Sequence, residues 1–237
     1  MKDKKHAILI TGASSGIGKS LTKIFVENNF HVIGAARRLD LLQELKQSFN
    51  EKQNYCHPFF LDISNKDSIQ EFFNNISSDF IIDCLINNAG ISSFKKAIDD
   101  SFEEIESVIQ TNLVGPILAI KKILPSMIEE KSGTIINILS VVNKKIFTNS
   151  SVYSASKNGL EAYAKVLREE HRNDNIRVIN VFPGATATEI WPAKSLEKYS
   201  ARMMNPDEIA NLIFQVYQQK NNLCVEELVV RPITGDL

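Results

Sequence analysis

Short runs of apolar residues alternate along the chain with longer segments in which apolar side chains recur every three or four positions. The short runs predict buried β-strands, and the longer segments predict amphipathic helices. The predicted strands are residues 7–11, 31–35, 56–61, 81–86, 133–138, 176–181 and 227–231. The predicted helices are residues 16–28, 39–49, 64–76 with Ser64 as the cap, 102–130 with an interruption near Gly115 and Pro116, 153–171 and 207–217.

This alternation is typical of a parallel sheet, because parallel neighbours are joined by connections that cross the sheet. It predicts the α/β class, with a doubly wound parallel sheet of about seven strands and helices on both faces. No repeat or linker divides residues 1–237, so we expect a single domain. The pattern loosens at residues 189–204, which we expect to form an irregular lid over a site beyond the carboxyl ends of the strands.

Composition and charge exclude several classes of function. Lys plus Arg number 27 and Asp plus Glu number 28, a net charge of −1, so no global basic field favours nucleic acid. The apolar run behind the first lysines is too short for a signal peptide or a membrane span, which predicts a cytoplasmic protein without membrane association. The three cysteines, Cys56, Cys84 and Cys224, lack metal-ligand spacing, and we expect no metal site.

A glycine-rich segment separates the first predicted strand from the first predicted helix. Glycine permits a tight turn and lets the backbone approach a pyrophosphate, while the N–H groups that open a helix favour an anion. The spacing over residues 11–18 is TGxxxGxG, which differs from the general GxGxxG fingerprint. An ordinary glycine turn is the alternative, but the position after the first strand favours a nucleotide site.

Further motifs follow this turn in a fixed order. They are Asn87-Asn88-Ala89-Gly90 after the fourth strand, Asn112, Ser140, a YxxxK pattern formed by Tyr153 and Lys157, and Pro183-Gly184 after the sixth strand. With these residues the chain resembles the short-chain dehydrogenase/reductase family over essentially residues 6–232. The resemblance implies a Rossmann-type fold and an oxidoreductase that acts on a small-molecule carbonyl or alcohol.

The catalytic group implied by the resemblance consists of Ser140, Tyr153, Lys157 and Asn112. Tyr153 and Lys157 are four residues apart on a predicted helix and therefore share a face. Tyr153 would exchange the proton with the substrate oxygen, Ser140 would orient that oxygen, and Lys157 would lower the pKa of Tyr153 and bind the nicotinamide ribose. Asn112 would hold a water of a proton relay, or alternatively satisfy backbone groups at a helix kink.

The resemblance also implies which residues contact the cofactor. These are Gly12, Ser14, Ser15, Gly16, Ile17, Gly18, Asp62, Ile63, Asn88, Ala89, Gly90, Tyr153, Lys157, Pro183, Gly184, Thr186 and Thr188. Arg37 and Arg38 follow the second strand, where an acid suits NAD and an arginine suits the 2′-phosphate of NADP. We therefore expect NADP(H). Asp40 is the competing acid, but we expect it to cap a helix, and Asp62 either contacts the adenine or caps the next helix.

Two departures from the family pattern concern the substrate side. Asn143 stands where the family often has glycine, and asparagine tolerates a left-handed backbone. Thr186 replaces a branched aliphatic residue after the Pro-Gly pair. Two lysine pairs, at residues 95–96 and 144–145, either attract an anionic substrate or are simply solvated. Trp191 and the methionines at 203–204 either line the pocket or pack on the domain.

The substrate itself remains open at this level. Residues 227–232 resemble a subgroup that contains 3-hydroxy-acid dehydrogenases, the runner-up is a 3-oxoacyl-carrier-protein reductase, and a noncatalytic NADP-sensing regulator is the rival of a different class. The regulator is disfavoured because Tyr153 and its partners are all present. Surplus apolar residues in the helices around 113–130 and 153–171 predict a homodimer or homotetramer.

Overall fold

The strands of the computed structural model, which describes residues 4–219 and 223–237, form one parallel sheet. The strands are β1 (Lys5–Thr11), β2 (His31–Ala36), β3 (Cys56–Phe60), β4 (Phe80–Asn87), β5 (Gly133–Ile138), β6 (Ile176–Pro183) and β7 (Glu227–Val230). The helices are α1 (Gly16–Glu27), α2 (Leu39–Gln47), α3 (Lys66–Ile76), α4 (Phe102–Ile109), α5 (Gly115–Glu129), α6 (Ser151–Glu170), α7 (Ala193–Tyr199) and α8 (Pro206–Gln218). The doubly wound, Rossmann-type fold class is confirmed.

The sheet has the order β3-β2-β1-β4-β5-β6-β7, and each neighbouring pair is parallel. The chain reverses its direction of winding between β1 and β4. In such sheets this switch point leaves a crevice beyond the carboxyl ends of the two strands, because the following segments diverge to opposite faces. The topology therefore places a cleft after Thr11 and Asn87.

Two apolar layers cover the sheet, as expected for parallel strands that are buried on both sides. Helices α1, α2 and α8 pack on one face, where Phe25 meets Phe214 and Tyr217 edge-to-face with ring centroids 5.1 and 5.2 Å apart. Helices α3, α5 and α6 pack on the other face through residues such as Phe72 and Ile120. Every residue of β5 is buried, so the strand that precedes Ser140 is held in the middle of the molecule.

The helical region at 102–130 differs from the prediction. A π-helical turn at Gln110–Val114 joins α4 to α5, so the irregularity lies before Gly115 and Pro116. Pro116 is tolerated because the first turn of a helix needs no N–H from it. Gly115 is required for another reason, since a Cβ there would lie 2.2 Å from the carbonyl oxygen of Ile63.

The helix caps predicted at Ser64 and Asp40 are wrong, and so is the cap alternative for Asp62. Asn65, and not Ser64, caps α3 by accepting hydrogen bonds from the backbone N–H groups of Asp67 and Ser68. Ser64 instead donates to the Asp62 carboxylate at 2.6 Å, so Asp62 does not cap this helix either. Asp40 lies inside the first turn of α2, which has no side-chain cap.

The segment predicted to be irregular contains α7 and a short 3-10 turn, Ser200–Arg202. Met204 is buried and pairs with Thr186 in an isolated bridge, which ties the end of this segment to the end of β6. Within the described ranges, no helix is both long enough and apolar enough to cross a membrane.

Candidate active site

A cleft of about 740 Å³ opens at the switch point between β1 and β4. All predicted site residues line it except Gly18 and Asn112. The lining residues are Gly12, Ser14, Ser15, Gly16, Ile17, Arg37, Arg38, Asp62, Ile63, Asn88, Ala89, Gly90, Ser140, Tyr153, Lys157, Pro183, Gly184, Thr186 and Thr188. Gly18 and Asn112 lie directly behind this lining and support it.

The glycine turn leaves little space for any other residue. Gly12 and Gly16 have positive φ angles of +66° and +51°, which side chains rarely adopt. A Cβ at Gly12 would lie 2.8 Å from the Cα of Ala89, and a Cβ at Gly18 would lie 2.3 Å from the carbonyl oxygen of Gly12. The backbone at the start of α1, whose first turn carries no acidic residue, therefore faces the cleft directly.

The loop after β4 is bound to this turn by hydrogen bonds. The Thr11 hydroxyl accepts from the backbone N–H groups of Asn88 and Ala89, both at 3.1 Å. The Asn88 side-chain amide donates to the carbonyl oxygens of Thr11 at 2.9 Å and Gly12 at 3.1 Å. Thr11 thus joins the two walls of the cleft. Thr11 is the first residue of the glycine motif, but it was not among the predicted site residues.

The two arginines after β2 lie at the outer end of the cleft. Arg38 donates to the hydroxyls of Ser14 at 3.2 Å and Ser15 at 2.7 Å, and its guanidinium lies 3.6 Å from the Glu189 carboxylate. Arg37 is exposed beside it. Asp62 lies at the end of β3, where Ser64 binds one carboxylate oxygen through its N–H and its hydroxyl.

Tyr153, Ser140 and Lys157 meet at the inner part of the cleft. Ser140 follows β5, and Tyr153 and Lys157 lie on the inward face of α6. The Ser140 hydroxyl lies near the Tyr153 hydroxyl and accepts a hydrogen bond from the Val142 N–H at 3.3 Å. The Lys157 ammonium donates to the Ile138 carbonyl oxygen at 2.8 Å and lies 5.8 Å from the centre of the Tyr153 ring. The side chains predicted to act together are brought together.

The pKa of Tyr153 runs against the expectation that Lys157 lowers it. Burial raises the pKa of Tyr153 to about 12, and the nearby Ser140 hydroxyl offsets only part of this rise. Burial also lowers the pKa of Lys157 to about 8. Both side chains have lost water, and loss of water favours the uncharged form of each. Tyr153 therefore keeps its proton at neutral pH.

Asn112 is fully buried in the π-helical turn and binds the loop after β4. Its side chain accepts from the Ile91 N–H at 2.9 Å and donates to the Ile91 carbonyl at 2.8 Å and to Ser156 at 3.1 Å. Gly90 lies beside it, and a Cβ there would be 3.3 Å from the Asn112 amide oxygen and 3.4 Å from the Lys157 ammonium. These contacts favour the backbone-binding alternative, and the water relay stays a prediction.

A row of buried asparagines crosses the sheet just below the cleft. Asn87 donates to Asn137 at 2.9 Å, and Asn137 donates to Asn180 at 3.1 Å, from matching positions on β4, β5 and β6. One polar atom at each end of the row has no partner. The period-2 pattern of three separate strands carries no signal of this row, because only the register brings the three residues side by side.

Asn143 and the lysines serve the fold rather than the cleft. Asn143 lies in a short 3-10 turn without a positive φ angle, and its side-chain amide donates to the buried Glu161 of α6 at 2.8 Å. Lys144 binds the same carboxylate at 3.0 Å and Glu227 at 2.8 Å. The left-handed turn expected at Asn143 is therefore absent. Three of the four lysines at 95–96 and 144–145 have acidic partners, since Lys95 also pairs with Glu104 and Lys145 with Asp236.

The part of the cleft beyond Tyr153 has aromatic walls. Phe94 stacks on Trp191, with ring centroids 5.1 Å apart and planes 15° apart, and lies 6.3 Å from the Tyr153 ring. Of the two residue sets left open for the pocket, Trp191 lines it and the methionines do not. Asp236 also lines the cleft and is bound by Arg231. Sequence reasoning missed Phe94 and Asp236, since neither belongs to a motif.

Comparisons with known proteins agree with this arrangement. The sequence matches the model of the family described as short chain dehydrogenase over residues 6–198. Sepiapterin reductase of Chlorobaculum tepidum is 31% identical over 241 residues, which cover 98% of each chain. The closed form of serine dehydrogenase complexed with NADP+ superposes with a TM-score of 0.90 at 28% identity, over 98% of this chain and 96% of the other. An alcohol dehydrogenase from Thermococcus sibiricus, complexed with 5-hydroxy-NADP, gives 0.86 at 26% identity over 98% and 97%.

Proposed function

This chain belongs to the short-chain dehydrogenase family of oxidoreductases, and from that premise we propose that it transfers a hydride between NADP(H) and a small-molecule carbonyl or secondary alcohol. One observation carries the proposal. Tyr153, Ser140 and Lys157 meet in a cleft that also contains the glycine turn and two arginines. The NADP and hydroxy-NADP bound to two structural relatives support the choice of cofactor.

The residues present fit a dinucleotide phosphate. The positive φ angles of Gly12 and Gly16 turn the main chain along the cleft without side chains, and the open N-terminus of α1 suits the diphosphate. Arg37 and Arg38 are suited to a 2′-phosphate, because a guanidinium binds phosphate oxygens with charge-assisted hydrogen bonds. Lys157 would bind the nicotinamide ribose. Thr186 and Thr188, with the other predicted cofactor contacts, would complete the site.

The bound nicotinamide supplies or accepts the hydride. In carbonyl reduction, the Ser140 hydroxyl donates a hydrogen bond to the substrate oxygen, and Tyr153 gives that oxygen its proton as charge develops there. The raised pKa of Tyr153 suits this direction, because the phenol is protonated when the substrate arrives. Lys157 is mostly protonated at pH 7, and its charge stabilises the phenolate that is left behind. In the reverse direction Tyr153 takes the proton.

Tyr153→Phe tests the proposal, since it removes only the hydroxyl. We expect turnover of any accepted carbonyl with NADPH to fall by about 10²–10⁴-fold, the usual cost of losing general acid catalysis. The affinity for NADPH, followed by cofactor fluorescence, should change little. Near-normal turnover in the variant would show that Tyr153 is not the general acid, and absence of turnover in the wild type with every carbonyl tested would favour the noncatalytic regulator.

The narrower alternatives for the substrate are a 3-hydroxy acid and a 3-oxoacyl carrier protein. The fold similarity to serine dehydrogenase supports the first. The acidic partners of Lys95, Lys144 and Lys145 weaken the argument from the lysine pairs for both alternatives, since one carries a carboxylate and the other a phosphopantetheine group. Oxidation of 3-hydroxy acids by the purified protein with NADP+ tests the first alternative directly.

We also propose a homodimer or homotetramer and a cytoplasmic location. Phe102 of α4 and Val166 of α6 are 87% and 58% exposed, and apolar side chains on two helices are suited to pairing with a second copy. The cysteines Cys56 and Cys84 are free and buried, which fits a reducing compartment. Light scattering should give a mass of two or four chains, and cell fractionation should recover the protein in the cytoplasmic fraction.

A further inference from the structure

The wall of the cleft beyond Tyr153 identifies a substrate class. We propose that the site takes an uncharged, planar, conjugated carbonyl compound whose ring system stacks against Phe94 and Trp191. This inference rests on the proposed function for the reacting carbonyl, which Ser140 and Tyr153 would bind. It assigns a substrate-binding role to the part of the cleft beyond Tyr153, which contains no family motif.

Three aromatic side chains form a continuous wall from the reacting group outwards. Tyr153 lies 6.3 Å from Phe94, and Phe94 lies 5.1 Å from Trp191 in a nearly parallel stack. A carbonyl bound at the Tyr153 hydroxyl therefore carries its substituent along the faces and edges of these rings. Aromatic rings prefer offset-stacked or edge-to-face partners at such separations. A flat conjugated substituent can approach a ring face closely, whereas a saturated ring is held away by its axial hydrogens.

Phe94 and Trp191 come from two different segments that are joined at this point. Phe94 lies in the loop after β4, and Trp191 lies in the segment that leads to α7. The Ser92 hydroxyl donates to the Ile190 carbonyl at 3.3 Å and so joins the two segments. Within the second segment, the backbone N–H of Trp191 donates to the Thr188 carbonyl at 3.2 Å. The stacked pair therefore forms one wall of the cleft, to which both segments contribute a ring.

The charges of the cleft disfavour an anionic substrate. Arg37, Arg38 and Asp62 belong to the ends of β2 and β3, on the side of the glycine turn, and Glu189 faces Arg38. Lys157 belongs to the proposed catalytic group, where it would bind the nicotinamide ribose. The remaining charged side chain of the lining is Asp236, a carboxylate.

Asp236 is itself bound by two cationic side chains, which are therefore already paired and not available to a substrate carboxylate. Arg231 donates to it through Nε at 3.0 Å and also through Nη2, and Lys145 lies 3.1 Å from it. A substrate carboxylate at this end would lose water without gaining a lining cation, and burial of an unpaired charge is costly. The apolar side chains of the lining, which include Val142 and Phe147, suit a neutral substituent.

Trp191 gives a direct measurement, because it is the only tryptophan in the chain. With NADP+ saturating, we expect acetophenone to change the fluorescence of Trp191, and cyclohexyl methyl ketone at the same concentration to leave it nearly unchanged. Trp191→Phe supplies the baseline for changes that do not arise at this residue. Equal changes with both ketones would overturn the inference, whether or not either ketone is reduced.

Turnover gives the second measurement. We expect kcat/KM with NADPH to be about tenfold higher for acetophenone than for cyclohexyl methyl ketone, from the value of aromatic stacking. Trp191→Leu should remove most of this preference, Trp191→Phe should keep it, and Phe60→Leu, an exposed aromatic outside the cleft, is the matched control. A preference for 3-oxo-3-phenylpropanoate over its ethyl ester would overturn the inference in favour of an acid substrate.

These outcomes separate the inference from the proposed function. If no carbonyl is reduced but acetophenone alone perturbs Trp191, the aromatic site stands and the proposed oxidoreductase activity fails. If both ketones are reduced equally and Trp191→Leu changes nothing, the activity stands and the planar-substrate inference fails.

Discussion

The two ends of the cleft are built from different parts of the chain. At the cofactor end the lining is largely backbone: Gly12 and Gly16 have positive φ angles, and Thr11 and Asn88 bind the main chain around them. At the substrate end the lining is mostly side chain, with Phe94 and Trp191 contributed by loops. The first end depends on backbone geometry, and the second on what the loops carry.

This difference explains why the reaction class is easier to identify than the substrate. Where the backbone itself contacts the ligand, only glycine or a residue with a specific hydrogen bond fits, so the sequence shows a motif with fixed spacing. Where side chains form the wall, many different residues are compatible with the fold, and their choice affects only which substrate fits. The following substitutions test this difference between the two ends.

The largest effect is expected from Gly18→Ala at the cofactor end. Its Cβ would lie 2.3 Å from the Gly12 carbonyl oxygen and 2.4 Å from the Asn88 amide nitrogen, so the turn must move. We expect a loss of more than about 3 kcal/mol in unfolding free energy or NADPH binding, beyond ordinary overpacking. Gly34→Ala is the matched control, because its Cβ would meet neighbours at an ordinary 3.4 Å. Equal behaviour of the two variants, by calorimetry and cofactor titration, would contradict the backbone argument.

Arg38→Ala tests the choice between the two cofactors at the same end. Removing one guanidinium from a 2′-phosphate should weaken NADPH by about 1.5–3 kcal/mol, the value of a charge-assisted hydrogen bond, and should weaken NADH little. Arg37→Ala is the comparison, since Arg37 lacks the Ser14 and Ser15 contacts that position Arg38. A parallel loss for NADH and NADPH in a titration of both would remove the argument for NADP(H).

Lys157 lies between the two ends, and its pKa makes stability depend on pH. The pKa of Lys157 is about 8 in the folded protein, whereas an unperturbed lysine has a pKa of 10.5. Between pH 8 and pH 10.5 the unfolded chain therefore binds more protons than the folded protein. The unfolding free energy of the wild type should therefore rise with pH from about 8 to about 10, relative to Lys157→Met, by up to about 1.4 kcal/mol per unit. Denaturant titrations at several pH values measure this slope. A falling difference would show that Lys157 is not desolvated.

The smallest effect is expected from Ser92→Ala at the substrate end. The variant removes a hydrogen bond of 3.3 Å to the Ile190 carbonyl, which joins the two loops that carry Phe94 and Trp191. An exposed neutral hydrogen bond contributes about 0.5–1.5 kcal/mol, so KM for an aryl ketone should rise by no more than about tenfold. NADPH affinity should not change. A large loss of NADPH binding would mean that the two ends are not separable.

The fold was predictable because its signal is local. Strand and helix periodicities identified the seven strands of the described sheet and every helix except α7, and the parallel topology followed from their alternation. The errors occur where two residues compete for one role. Ser64 and Asn65 are adjacent cap candidates, and the backbone directs Asn65 to the helix and Ser64 to Asp62. The interruption at 110–114 is a π turn, for which the sequence has no period of its own.

The electrostatics of the site were less predictable than its residues. Spacing placed Tyr153 and Lys157 on one face of a helix, which the structure confirms. It carried no information on how deeply the pair is buried, and burial determines both pKa values. The lysines at 144 and 145 show the same limit, since their partners Glu227 and Asp236 are more than eighty residues away in the chain.

The residue pattern was sufficient to predict the fold class, the glycine turn and the side chains that meet in the cleft, because each depends on residues close together in the chain or on a backbone that only certain residues allow. Tertiary structure alone decided the row of Asn87, Asn137 and Asn180, the desolvation of Lys157, and the stack of Phe94 on Trp191. Each of these arises where segments distant in the chain come into contact. Contact and burial at such junctions depend on the packing of the whole sheet, which no local pattern records.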